Sequence, residues 1–479
     1  MENHQRGTSQ RFLRLLALLA ALAVFASACS SSDSADTEED SEADDSSETE
    51  AETEDEGDED EADAADGDEE AVTEEGSEEL TASYRGITES EIHIGVTMID
   101  FDELKDFNLA SEGWGDQQGV YQAFIDDIND RGGIHGRTVV PHFEFYSVLT
   151  AQAAEETCTA LTQDIETFLV LEGFSGPAEV ANNCIVTNNE TIMIGGPQTA
   201  ERLAAAKAPW VGQATLRDDR LPIFLQLLAD NGYADNLKLA VVGSVEQKEI
   251  FDASGDILAE AGIEPVLSIQ NDAPQGDLPA TDARWQVLAE NIRASDANTI
   301  LVLGSGQGAL RGARANGLDV DVWILEETDL TSLGEATTAA DANGAITISS
   351  LTHHQEFEDP EMISQCYDIV TAALPDADVR DPDTVAPGEE TWFRAIHSYC
   401  PRVKLFELLM TAAGPNPTQD TFQEAMDNMG DFSLPGLPFA SLNADKVYTN
   451  DTYQLTRFDE NLGDAGGLVP ITDPTDGTP

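Results

Sequence analysis

Short runs of consecutive apolar residues, each followed by an amphipathic stretch of helical period, recur along most of this chain, and they constrain its fold more than any other feature. A β-rich run over 92–97 and apolar runs over 168–171 and 192–194 form one series. Residues 239–242, 266–269, 300–303 and 322–325 form a second. Between the runs lie helical patterns, the first through Gln118, Tyr121, Phe124, Ile125 and Ile128 and closed by Gly132 and Gly133, the later ones over 249–261, 284–293 and 308–316. A strand apolar throughout belongs in a parallel sheet covered on both faces by helices. The two series break near residues 213–218, and the roughly 390 residues after the N-terminal region are too many for one ordinary core. The expected fold class is therefore α/β, with two Rossmann-like lobes.

In open parallel sheets the ligand sits beyond the carboxyl ends of the strands. Five such ends carry small, polar or acidic residues: Gly173, Phe174, Ser175 and Gly176; Gly195, Gly196, Pro197, Gln198 and Thr199; Gly243 and Ser244; Gly304, Ser305 and Gly306; and Glu326 with Glu327. Glycines there let backbone N–H groups approach a ligand, and the helices beyond favour negative charge at their N-termini. Taken singly, each loop reads equally well as an ordinary turn with its helix cap.

The first 28 residues carry Arg6, Arg11 and Arg14, then an apolar run over 15–25, then Ala26, Ser27 and Ala28 before Cys29. This order predicts a secretory signal, and the run is short for a bilayer span. Residues 31–80 hold 27 acidic and no basic residues, a composition that predicts a disordered, self-repelling tether over 29–80. The folded remainder keeps 65 acidic against 20 basic residues. Such a surface excludes nucleic acid as a partner, because phosphate binding needs a basic footprint. The acidity, with Arg outnumbering a scarce Lys, also fits a salty habitat in which screening relieves self-repulsion.

Beyond Cys29 there are four cysteines. In an exported chain an even count favours two disulfides, and their order pairs Cys158 with Cys184 and Cys366 with Cys400; buried free thiols are the alternative. None has metal-ligand spacing, so no metal is expected. The chain carries no nucleophile elbow, phosphate loop or His-Glu-x-x-His string. Glu326, Glu327 and Asp329 with His353 and His354 are not in a spacing of known mechanism. Neither an enzyme nor a cofactor is expected.

Two strings carry a family resemblance. Residues 91–96 (Glu91, Ile92, His93, Ile94, Gly95, Val96) resemble the first strand of the type I periplasmic binding proteins of the leucine/isoleucine/valine-binding group. Residues 128–137, with Asn129, Gly132, Gly133, Ile134, Gly136 and Arg137, resemble that family's most specific string. The Ser175 loop, the Gly195 to Thr199 loop and the stretch 314–318 support it, and the small residues before Cys29 are similar to a lipobox, with Ala26 a departure from the usual Leu. The resemblance implies a venus-flytrap fold closing on a small solute, with three crossings between lobes near 213–218, 346–352 and 437–447. It implies a first lobe of 81–217 plus 348–440, a second of 218–347 plus 441–465, and a flexible tail of 466–479.

By the same resemblance, Ser175, Gly176 and Thr199 hold an amino acid's carboxylate, Trp114 before Gly115 and Asp116 covers the ligand, and Glu327, or failing it Glu326, faces its ammonium group. Hydroxyls and amides bind a carboxylate without adding a buried charge. Gln198, Gln247 and Ser305 complete the expected site. Departures bear on the solute. The loop over 100–108 contains Asp102, Glu103, Lys105 and Asp106 where the family has small residues, and the stretches around Gln247 and Ser305 lack the family's tyrosines. A solute more polar than leucine is expected. The partners implied are an ABC permease and, through a lipid on Cys29, the outer face of the cytoplasmic membrane, with the chain a monomer. A tethered ligand sensor of the same fold is the alternative.

Overall fold

The computed structural model describes residues 79–477 apart from 107–111, 246, 274–276, 332, 334–335, 386–388 and 464. The expected signal and Cys29 lie outside the described residues, as does the tether up to 78. Two sheets organise the chain. The first takes β1 (Glu91–Ile99), β2 (Thr138–Tyr146), β3 (Leu169–Glu172), β4 (Ile192–Gly195) and β5 (Trp210–Val211) in the order β2-β1-β3-β4-β5, all parallel. The second is built on β6 (Leu239–Ser244), β7 (Leu267–Asn271), β8 (Thr299–Leu303), β9 (Asp321–Ile324) and β10 (Ile346–Ser349), parallel in the order β10-β9-β8-β6-β7.

The apolar runs behave as burial demands. Strands β4, β6, β8 and β10 are buried at every position. Helices cover both faces of each sheet, so each sheet separates two apolar cores. Strand β2 lacks such a run because it lies at the sheet edge, where Pro141 costs no ladder hydrogen bond and His142 and Glu144 reach the surface.

After a hairpin of β11 (Gly430–Leu434) and β12 (Leu437–Leu442), the chain returns to the second sheet. Here β13 (Thr452–Asp459) runs antiparallel to β10. Residues 467–470, expected in a flexible tail, form β14 (Gly467–Pro470), which pairs Leu468 with Phe458 and Val469 with Arg457; Thr475 and Asp476 pair with β13 as well. The expectation of a loose tail fails because Leu468 has an apolar core to enter.

The helices that matter below are α1 (Gln117–Asp130), α2 (Ala151–Thr159), α3 (Ala200–Ala205), α4 (Arg217–Asp230), α5 (Lys248–Glu260), α6 (Leu278–Ala294), α7 (Gly306–Ala315), α8 (His353–Glu358), α9 (Phe393–Ala412) and α10 (Gln419–Asp427). Helices α9 and α10 come late in sequence yet pack in the core of the first lobe, through Phe406, Leu409 and Phe422 among others. Cys158 of α2 is bonded to Cys184 and Cys366 to Cys400 of α9, with Cα separations of 6.3 and 5.8 Å. Both bridges lie in the first lobe.

Three segments join the lobes: 212–216, 350–352 and 443–451. They are tied to one another. Gly212 N–H donates to Val447 O (2.8 Å) and Thr449 N–H to Gly212 O (3.0 Å). The Ser350 hydroxyl donates to Asn450 Oδ1 (3.2 Å), and Asn450 Nδ2 to Thr215 Oγ1 (3.2 Å). A buried ion pair, Lys446 with Asp451 at 3.2 Å, fixes the third segment, and Lys446 Nζ also donates to Ser441 O and Tyr448 O.

Candidate functional site

Where the three crossings meet, the chain lines a half-open cavity of about 330 Å³. Gln213, Ala214 and Thr215 come from the first crossing, Ser350 and Leu351 from the second, and Asn450 from the third. The second lobe adds Arg220 of α4 with Glu327, Thr328 and Thr331 beyond β9. The first lobe adds His353 and Glu356 of α8, His397, Ser398, Pro401 and Arg402 of α9, and Pro435, Gly436 and Leu437 at the hairpin. The volume suits a small metabolite, and a mixed polar lining fixes its orientation.

Local sequence places these groups. Thr352 and Gln355 form a capping box at the start of α8, with Thr352 N–H donating to Gln355 Oε1 (2.8 Å). That cap sets the helix so that His353 and Glu356, three residues apart, share the cavity face. On α9, Pro401 supplies no N–H to the carbonyl of His397, four residues earlier, and His397 and Pro401 both line the cavity. Ser398 and Arg402 repeat the same spacing and hydrogen-bond to each other (2.8 Å).

The charges fall into pairs, with one exception. Arg402 is held by Glu172, which sits at φ 77° at the end of β3 and also accepts from the Tyr121 hydroxyl. Glu326 accepts from Arg217 Nε (2.9 Å) and Arg220 (3.4 Å), and Glu327 lies 4.0 Å from the same Arg220. Burial pushes the Glu327 carboxyl up to about 7, against the pull of Arg220. Glu356 is 5% exposed, and no Lys or Arg among the described residues pairs with it. Its Oε2 lies 3.0 Å from His397 Nδ1, but the alignment makes no hydrogen bond and leaves both atoms unpartnered. Burial, followed by the nearby Glu327 and Asp359, holds Glu356 well above the usual carboxylate range. Burial also lowers His353 to about 4 and His397 to about 3, so both rings are neutral near pH 7.

Of the eight ligand residues expected from sequence, the cavity takes Glu327 alone. Trp114 packs against Phe101 (5.1 Å between centroids) and Tyr399 (6.1 Å) at the edge of the first core. Ser175 is half-buried and its N–H donates to the Tyr146 hydroxyl (3.0 Å), while Gly176 is exposed at φ 62°. Thr199 is exposed and caps α3 through Arg202 N–H (3.2 Å). Gln198 donates to Trp210 O (3.0 Å) and Val447 O (3.4 Å), tying β5 to the third crossing. Gln247 precedes α5 with its stem against Gly304, and Ser305 is exposed in the left-handed region at φ 55° before α7.

The reason these residues lie apart from the cavity is geometric. The strand-end loops spend their polar groups on caps and turns, and the helices α8 and α9, distant in sequence, supply the cavity instead. Sequence reasoning did not single out the cavity-lining Glu356, His397, Arg402 and Arg220. The signals that could have found them are the capping box at Thr352 and the proline inside α9. No three His, Cys, Asp or Glu side chains among the described residues converge as a metal site, and none of the described helices is long and apolar enough to cross a membrane.

No curated protein matches the sequence. Among solved structures the chain is similar to an ABC transporter substrate-binding protein from Desulfitobacterium hafniense in complex with Leu, at 15% identity and a TM-score of 0.56, covering 80% of this chain and 100% of that one. It is similar to a solute-binding protein of an ABC transporter from Rhodopseudomonas palustris BisB5 in complex with 3,4-dihydroxybenzoic acid, at 13% identity and 0.53, over 81% and 98%. A fatty acid ABC transporter substrate-binding protein from Thermomonospora curvata is similar at 13% and 0.51, over 83% and 95%. These likenesses establish the fold, two α/β lobes with a three-segment hinge. The model of the periplasmic binding protein family matches residues 116–461, and the chain therefore belongs to the type I periplasmic binding proteins.

Proposed function

We propose that this chain is the extracytoplasmic receptor of an ABC importer, binding one small polar solute between its lobes and presenting the closed form to a membrane permease. The observation that carries the reading is the cavity of about 330 Å³ walled by both lobes and all three crossings. A solute there touches each lobe, so its binding energy differs between open and closed forms and shifts the population toward closure. Motion is absorbed at the three short crossings. The similar structures carry leucine, an aromatic acid or a fatty-acid designation, so the fold accommodates several solute classes and the site must choose among them.

The rest of the reading follows from export. The signal ends at residue 28, Cys29 is lipidated, and the acidic segment to residue 80 holds the receptor off the membrane while it searches for its permease. Both disulfides form in that oxidising compartment and brace the first lobe.

The test is a thermal-shift screen of the purified protein with amino acids, amides, polyamines, aromatic acids and short peptides. A ligand at a hundred times its dissociation constant adds about 2.7 kcal/mol of stability. A clear rise with one chemical class supports the receptor reading. No rise with any member of a broad panel contradicts it.

A further inference from the structure

We infer that His93 of β1 and His142 of β2 form a binding site for one exchangeable divalent transition-metal ion, Cu²⁺ the best fit, at the open edge of the first sheet. Neither histidine lines the solute cavity, and the inference does not rest on the receptor reading. In the parallel register of the two strands His142 stands opposite Gly95, and His93 lies two residues before Gly95 on the same face. Gly95 has no side chain, which leaves room for the two imidazoles to meet. His93 Nδ1 and His142 Nε2 come within 3.0 Å, with ring centroids 5.3 Å apart and planes 20° from parallel. Behind the pair, Glu91 Oε2 lies 3.1 Å from His93 Nε2.

The chemistry of these three groups points to a metal. An ionised carboxylate only accepts, so Glu91 takes the N–H of His93 Nε2 and leaves Nδ1 with its lone pair toward His142. A carboxylate behind one imidazole nitrogen, with the other nitrogen presented forward, is the arrangement that orients metal-ligating histidines and raises their basicity. Two nitrogens held about 2.0 to 2.1 Å from one ion stand about 2.9 Å apart at a right angle and about 3.3 Å apart at the tetrahedral angle. The observed 3.0 Å suits a tetragonal ion, Cu²⁺ or Ni²⁺, and the general order of affinities puts Cu²⁺ first. The two nitrogens now share a proton, and rotation of each ring about its soft terminal torsion turns both lone pairs to one side. Strand β2 is the outer strand and both rings are half-buried, so water reaches the pair and supplies the remaining ligands. No third ligating side chain among the described residues joins them, which makes the ion exchangeable and not a closed structural centre. The excess of acidic over basic residues raises the concentration of cations at this surface. A bound ion would clip the edge strand β2 to β1.

The experiment is titration of the purified protein, free of any histidine tag, with Cu²⁺, followed by calorimetry and by electron paramagnetic resonance of the bound ion. Salt at about 0.5 M screens the acidic surface so that loose carboxylate binding is suppressed. One ion per chain is expected, with the spectral signature of two imidazole nitrogens. H93Q and H142Q should each weaken binding about tenfold or more and remove one nitrogen from the spectrum. E91Q should weaken binding about tenfold while both nitrogens remain, as befits a group that positions His93 without touching the ion. If either histidine variant fails to fold, as circular dichroism would show, the nitrogen count of the unaltered protein decides the matter. A spectrum of oxygen ligands alone, binding indifferent to both histidine variants, or no binding at millimolar Cu²⁺ overturns the inference and leaves the contact a plain hydrogen bond between two rings.

Discussion

Substituting Glu327 by Gln should stabilise the free protein at alkaline pH and do almost nothing in acid. The carboxyl keeps 25% of its side-chain surface exposed and titrates near 7 rather than 4.5. Between pH 4.5 and about 7 the folded chain holds a proton that the unfolded chain has lost, so this group's contribution to stability falls as pH rises through that window. At about 1.4 kcal/mol per pH unit, the penalty reaches roughly 3 kcal/mol at pH 8. E327Q removes the ionisation while keeping the shape. Urea unfolding followed by tryptophan fluorescence at pH 4.5 and pH 8 should give a difference between variant and parent near zero at the first and about 3 kcal/mol at the second. A variant less stable than its parent at pH 8 would refute the reasoning. It would show that Glu327 serves as a structural partner of Arg220 and not as a desolvated acid held for a ligand.

Three further outcomes follow from the packing. Lys446→Met leaves the buried Asp451 without its cation, and at about 3 to 5 kcal/mol for breaking such a pair it should lower the melting temperature more than any surface Lys change, as calorimetry would register. Replacing Cys366 and Cys400 together by Ala opens a loop with a sequence separation of 34, which the chain-entropy account values at about 4 kcal/mol; an unchanged denaturation midpoint would argue against the bridge. Ser175→Ala with Thr199→Ala should leave solute affinity within about twofold, because neither side chain lines the cavity, while costing about 1 kcal/mol of stability for the lost cap of α3.

The lobes were legible in sequence because burial on both faces of a parallel sheet leaves an unmistakable run, as in β6 and β8, and because the turns of residues 128–137 carry a specific string. Strand β2 hid behind Pro141 at an edge, and β14 behind a short polar terminus whose one anchor is Leu468. The site was legible only in Glu327, which follows its strand directly. Arg402 meets Glu172 across 230 positions, and Glu356 joins Glu327 through the meeting of two lobes. No local spacing encodes either meeting. Thr199 shows a related ambiguity: a hydroxyl at a strand end serves a ligand or a helix cap with the same chemistry, and only geometry separates them.

The most direct test of the account is the crystal structure of the protein with the solute that the screen identifies. The account expects that solute within hydrogen-bond reach of Glu327 and Glu356, beside Gln213, Ser350 and Asn450, with the lobes closed on it. A solute seated instead on the loops of Ser175 and Thr199, clear of both carboxyls, would contradict it.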